Sequence, residues 1–145
     1  MSSPMGTLRD LAQQDVDDAT TALGKSQQAF LHAEQQLTML LNYQDEYRQR
    51  LNQGMSGGMD ASSWRNYQQF IRTLDQAIDQ HRLQLNQCNV RLATATRCWQ
   101  EKQQRLNAFC TLHERQEHQL KMQLNKQDQK RMDEYAQRAA MRRVQ

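Results

Sequence analysis

Breakers of regular structure are nearly missing from this chain. Its one proline is Pro4, and three of its five glycines fall in the stretch Gly54-Met55-Ser56-Gly57-Gly58. No glycine or proline follows Gly58. Sheets and mixed α/β folds need turn residues every few positions, so a sandwich, a barrel and a doubly wound fold are all disfavoured. Twenty-five glutamines, with Leu, Ala, Arg, Glu and Lys, fill the uninterrupted runs, and these residues lose little on entering a helix. The natural reading is all-α, with two long helices joined near the glycines.

Composition says what kind of helices these are. Only 37% of the 145 residues are hydrophobic, against about half in an ordinary domain. A narrow seam between two helices needs few apolar residues. Steps of three and four from Ala12 reach Val16, Ala19, Leu23, Ser26, Phe30, Ala33, Leu37, Leu40, Gln44, Tyr47 and Leu51, of which all but Ser26 and Gln44 are apolar or aromatic. The same steps from Tyr67 reach Ile71, Leu74, Ile78, His81, Leu85, Cys88, Leu92, Ala95, Trp99, Lys102, Leu106 and Phe109. An average spacing of 3.5 residues is that of a left-handed coiled coil.

The expected organisation is one coiled-coil hairpin over residues 1–145. Helix 1 covers about 7–52, the hinge about 53–62 and helix 2 about 63–140. Thr7 with Asp10, or Ser3 with Pro4, offers a start for the first helix, and Asp60, Ser62 or Ser63 for the second. The first helix would be about 68 Å long at 1.5 Å per residue. An antiparallel partner needs only about residues 62–107, so the C-terminal part overhangs. That overhang is polar, and partial helix with fraying is expected unless another protein holds it. Leu37→Ala and Leu85→Ala are each expected to cost about 2–5 kcal/mol.

No apolar run approaches the roughly 18 residues of a membrane span, and the N-terminus lacks a secretory pattern. Cys88, Cys98 and Cys110 are odd in number and widely spaced, which fits a reduced, cytosolic protein better than a disulfide framework. The net charge of +3 is uneven. Residues 1–96 hold eight Lys/Arg and ten Asp/Glu, whereas residues 97–145 hold eleven and six.

Catalytic patterns are missing too. His113-Glu114-Arg115-Gln116-Glu117-His118 is one residue longer than HExxH, which turns the second histidine off the face of the first. Cys110 and His113 form no second ligand pair, so no metal and no cofactor are expected. There is no phosphate loop or nucleophile elbow, and the expectation is that the protein is not an enzyme. In the basic C-terminal region Glu114, Glu117, Asp128, Asp133 and Glu134 are interleaved, and no nucleic-acid module is evident. Arg138, Arg142 and Arg143 are the candidates for salt-sensitive contacts with an acidic protein surface.

Near the hinge there are more large apolar groups than a seam uses. Gln36, Leu40, Tyr43 and Tyr47 step by 4, 3, 4 on the first helix, and Phe70, Leu74, Ala77 and His81 do the same on the second. They either widen the core locally or form an exposed docking patch.

The strings Asn42-Tyr43-Gln44-Asp45-Glu46-Tyr47-Arg48, Trp64-Arg65-Asn66-Tyr67-Gln68-Gln69-Phe70-Ile71 through Gln80-His81-Arg82, and Met132-Asp133-Glu134-Tyr135-Ala136-Gln137-Arg138-Ala139-Ala140-Met141-Arg142 strongly resemble the FliJ family of the bacterial flagellar export apparatus. The resemblance runs the whole length of the chain. It implies an antiparallel two-helix coiled coil similar to the central stalk of rotary ATPases. It also implies a cytosolic component of flagellar type III protein export, located at the inner membrane of the flagellar base through its protein partners. Such a protein would enter the hexameric export ATPase, promote its ring assembly and activity, and couple it to the export-gate protein FlhA and to export chaperones. The gate contact would match Gln36, Leu40, Tyr43, Tyr47, Phe70, Leu74, Ala77 and His81. The ATPase contact would include Arg138, Arg142 and Arg143. A general export chaperone, using an adaptable surface with Met39, Met55 and Met59, is the alternative. A basic nucleic-acid-binding coiled coil is more distant.

Overall fold

A computed structural model describes residues 4–144. The chain forms two helices, α1 (Pro4–Ser56) and α2 (Ala61–Val144), packed against each other, with no strand among the described residues. By contact the chain divides into two compact units. One is Asp17–Gln100; the other combines the residues up to Val16 with those from Glu101 onward.

Helix α1 begins at Pro4, three residues before the Thr7–Asp10 start considered above. Proline suits the first helical position, where its missing N–H has no intrahelical partner to lose. Thr7 is thus inside the helix, and the capping box is not its start. Ser3, the other candidate cap, lies outside the described residues.

The end of α1 explains the glycines. Gly58 has φ 83°, a left-handed conformation that disfavours any Cβ. The Met59 N–H reaches back to the Gly54 carbonyl at 2.8 Å, the six-to-one bond of a Schellman ending. The Met59 side chain folds over Gly54, where an added Cβ would meet its Cε. Helix α2 then starts on Asp60, whose Oδ1 accepts the Ser63 N–H at 3.0 Å. Of the three candidate caps, Asp60 holds this position. Hydrogen bonds from the Ser63 side chain and backbone lower the Asp60 pKa. The cap therefore acts fully above the unfolded carboxylate's pKa and fades as pH falls through the lower folded value. Gly58→Ala is expected to lower stability by about 1–2 kcal/mol, read as a lower urea midpoint at unchanged slope.

Within Asp17–Gln100, the buried residues are Ala19, Ala33, Gln44, Leu51, Leu74, Ile78 and Cys88. Leu23, Phe30, Leu37, Leu40, Leu85, Leu92 and Trp99 are half-buried around them. Contacts between Tyr47 and Phe70, Gln44 and Asp75, and Thr20 and Trp99 lie progressively further from the loop on both helices. That order is antiparallel pairing. The Trp99 indole N–H donates to Thr20 Oγ1 at 3.0 Å, so the polar end of this seam aromatic is satisfied. Leu37 and Leu85 keep part of their surface in water, which places their alanine variants at the low end of the expected cost.

In the other unit, Ala12, Val16 and Leu106 form a buried cluster, with Phe109 and Cys110 packed against it. Burial ends at the half-buried His113. From Glu114 to Val144 every residue is exposed, yet α2 continues unbroken to Val144. Helix 2, expected to about residue 140, thus reaches Val144. The segment has no breaker, and Glu117 with Lys121 and Glu134 with Arg138 are spaced i,i+4 in the favourable order. Arg142 and Arg143 also suit the negative end of the helix dipole.

Candidate functional site

The aromatic residues near the loop are brought together across the two helices, all within Asp17–Gln100. The Tyr47 ring lies 4.5 Å from Phe70 and 6.1 Å from Tyr67, both tilted. Tilted pairs of this kind avoid face-to-face repulsion and stabilise a contact beyond its buried area. The Arg50 guanidinium carbon sits 5.6 Å from the Tyr47 ring centroid, within cation–π range. Tyr47 is thus held on three sides. Arg50 is three residues after Tyr47 and Tyr67 three before Phe70, so helical spacing could have nominated both beside the shifted stripe.

The eight stripe positions divide by burial. Tyr43 is 49% exposed and Phe70 42%. Gln36, Leu40, Tyr47, Ala77 and His81 are half-buried, and Leu74 is in the core. Leu40, Tyr47, Leu74 and His81 are also seam positions, and their partial or full burial reflects that double membership. A partner approaching this face meets Tyr43 and Phe70 first. Leu74 supports the face from beneath. The His81 Nδ1 is buried with no hydrogen-bond partner among the described residues, so that atom offers a visiting group nothing without local opening.

A polar group runs through the same region. Gln44, 7% exposed and at a seam position, donates its side-chain N–H to Asp75 Oδ1 on the opposite helix. Arg48, one turn along from Gln44, lies 3.8 Å from the same oxygen. The sequence marked Gln44 only as a polar exception in the seam.

Further from the loop in this unit is an open groove of about 290 Å³ lined by Ala19, Ala22, Val90, Thr94 and Ala95, among others. Alanines on both helices leave this space. His113 is turned to a carboxylate on its own helix and not to His118. Its Nε2 is 3.0 Å from Glu117 Oε1 on the same helix, and His118 is exposed. Among the described residues no three His, Cys, Asp or Glu side chains are grouped to hold a metal. No helix of the described residues is long and apolar enough to cross a membrane. Arg138, Arg142 and Arg143 are all exposed on the last turns of α2.

Comparison with known proteins covers the whole chain. The sequence model of a family described as Flagellar FliJ protein matches residues 1–145. The Flagellar FliJ protein of Escherichia coli (strain K12) is 51% identical over 139 residues, spanning 96% of this chain and 95% of the relative. The protein of the same name from Salmonella typhi is 51% identical over 137 residues, spanning 94% and 93%.

Proposed function

The chain belongs to the FliJ family of flagellar proteins, and from that premise we propose that it serves as a stalk-like adaptor in flagellar type III protein export. In this reading it binds the hexameric export ATPase and promotes ring assembly and activity. It couples the ATPase to the export gate through FlhA and to export chaperones. It works in the cytosol and meets the inner membrane through these partners, without catalytic chemistry of its own.

The observation that carries this reading is the braced aromatic face. Tyr43 and Phe70 are large, partly exposed and adjacent to a fixed Tyr47. An interface anchor has this character, because an aromatic ring held in place loses little conformational entropy when a partner covers it. Arg138, Arg142 and Arg143 lie in the exposed part of α2 and supply the second contact, with an acidic surface of the ATPase.

The test is binding of the cytosolic linker segment of FlhA to Tyr43→Ala, Phe70→Ala and the double variant. Tyr43→Ala should leave helical content and the thermal midpoint close to wild type. Phe70→Ala removes the ring packed on Tyr47 and should lower the midpoint modestly with helical content retained, so affinity is measured well below both midpoints. Affinity is expected to fall about tenfold for each single variant, since an anchor is worth about 1–2 kcal/mol or more. Unchanged affinity in the double variant removes the gate contact from this face.

A chaperone-escort role is the second reading, favoured by the exposure of Met39, Met55, Met122, Met132 and Met141. Methionine surfaces adapt to varied apolar partners. Binding of purified export chaperones by a protein that fails to stimulate the ATPase would favour this role over the adaptor.

A further inference from the structure

Gln44 is the only buried polar residue among those described, and its position gives it a use. In a two-helix seam a polar side chain costs stability and in return selects the pairing in which it finds a partner. Gln44 finds Asp75, and Arg48 approaches the same carboxylate oxygen. Tyr43 and Tyr47 flank Gln44 on α1, and Phe70 lies just over one turn before Asp75 on α2.

Alternative pairings show what this clasp excludes. Sliding α2 by one seam step toward its C-terminus relative to Gln44 replaces Asp75 with Asp79, which could accept the same bond. That slip also replaces Tyr67 and Phe70, the ring partners of Tyr47, with Ile71 and Leu74. The opposite step presents Arg72, which has no acceptor to offer. Whole-heptad slips present Gln68 or Arg82, the first able to accept but uncharged, the second not. Only the observed register satisfies Gln44 with a carboxylate and gives Tyr47 its aromatic neighbours. The short loop, held by the Met59–Gly54 hydrogen bond and the Asp60 cap, restrains the pairing from its own end, and the clasp restrains it about three turns further along α1.

We propose that Gln44 and Asp75 are positioning residues: their hydrogen bond, assisted by Arg48, fixes the register and rotation of the two helices where Tyr43, Tyr47 and Phe70 are presented. The consequence for binding rests on the reading of this face as the gate contact; the register claim does not. The two effects of the clasp have opposite signs. It lowers stability relative to an apolar residue and raises the uniqueness of the presented face.

The full-length chain, with 3-fluorotyrosine at its four tyrosines, provides the test by fluorine NMR, with Tyr47 assigned through Tyr47→Phe. Wild type should give one Tyr47 resonance. Gln44→Leu should give two or more, or one severely broadened, while its thermal midpoint stays equal or rises by about 2–5 °C. Asp75→Asn keeps an acceptor opposite Gln44 in the one register that also gives Tyr47 its aromatic neighbours, and should keep the single resonance. Affinity for the FlhA linker segment should fall about tenfold in Gln44→Leu and stay near wild type in Asp75→Asn. A single sharp Tyr47 resonance in Gln44→Leu, shifted or not, overturns the proposal. So does a split in Asp75→Asn as large as that in Gln44→Leu. A split in Gln44→Leu with unchanged affinity supports the clasp and removes the gate contact from the face, which separates the two claims.

Discussion

A chain ending at His113 is expected to remain a folded helix pair and to lose stimulation of the export ATPase. The cut point follows from burial. Every residue from Glu114 to Val144 is exposed, so its removal takes no side chain from a core. Leu106, Phe109 and Cys110 stay with Ala12 and Val16. A cut five residues earlier, after Ala108, would strip Phe109 and Cys110 from that cluster and confuse lost folding with lost contact. The thermal midpoint should therefore move by no more than about 2 °C, the scale of a surface change. ATPase activity with the truncated chain should match that of the ATPase alone. The segment removed holds eight Lys/Arg and five Asp/Glu, and an acidic docking surface would be read mainly by the arginines at its end. Arg138→Gln, Arg142→Gln and Arg143→Gln combined should thus reproduce most of the loss at physiological salt and flatten its salt dependence. Glutamine preserves helix propensity. Full stimulation by the truncated chain would move the ring contact out of residues 114–144.

The seam was legible because its period is a property of single residues in order. Each position reached by steps of three and four from Ala12 to Leu51, and from Tyr67 to Phe109, is buried or half-buried. Even Lys102 obeys the rule, since a long aliphatic stem can lie along a seam while its ammonium stays wet. The loop was legible in kind, because a glycine cluster interrupts both patterns. Which glycine takes the left-handed turn was not, since that depends on how the Met59 N–H returns to Gly54.

The polar clasp could not be read from the pattern. Gln44 and Asp75 lie 31 residues apart, and no periodicity on one helix says which polar group on the other will face it. The division of the aromatic stripe had a similar cause. Leu74 belongs to both the seam and the shifted stripe, and only packing decides that it is covered while Phe70, one turn away, is not. Beyond His113, where helix to about residue 140 with fraying was expected, the lack of tertiary contacts argued for the fraying. Local propensity and i,i+4 charge pairs argue the other way.

The thin seam also makes single core positions unusually consequential, and Ile78→Ala is expected to cost about 3–5 kcal/mol. Ile78 is 3% exposed and is the most buried of the large aliphatic side chains in Asp17–Gln100. A helix pair has only the opposite helix to close the resulting gap. Globular chains retain only about 5–15 kcal/mol of net stability, so this one deletion should remove a large fraction of it. Its urea midpoint should fall accordingly, with far-UV helicity retained in the absence of denaturant. Leu83→Ala provides the contrast. Leu83 is 61% exposed on the same helix, and its truncation should change stability by no more than about 0.5 kcal/mol. Helix propensity differs little between leucine and alanine, so the gap between the two variants isolates burial in the seam. Equal midpoints for the two would mean that the helices are held by something other than the 3.5-residue pattern that defines them.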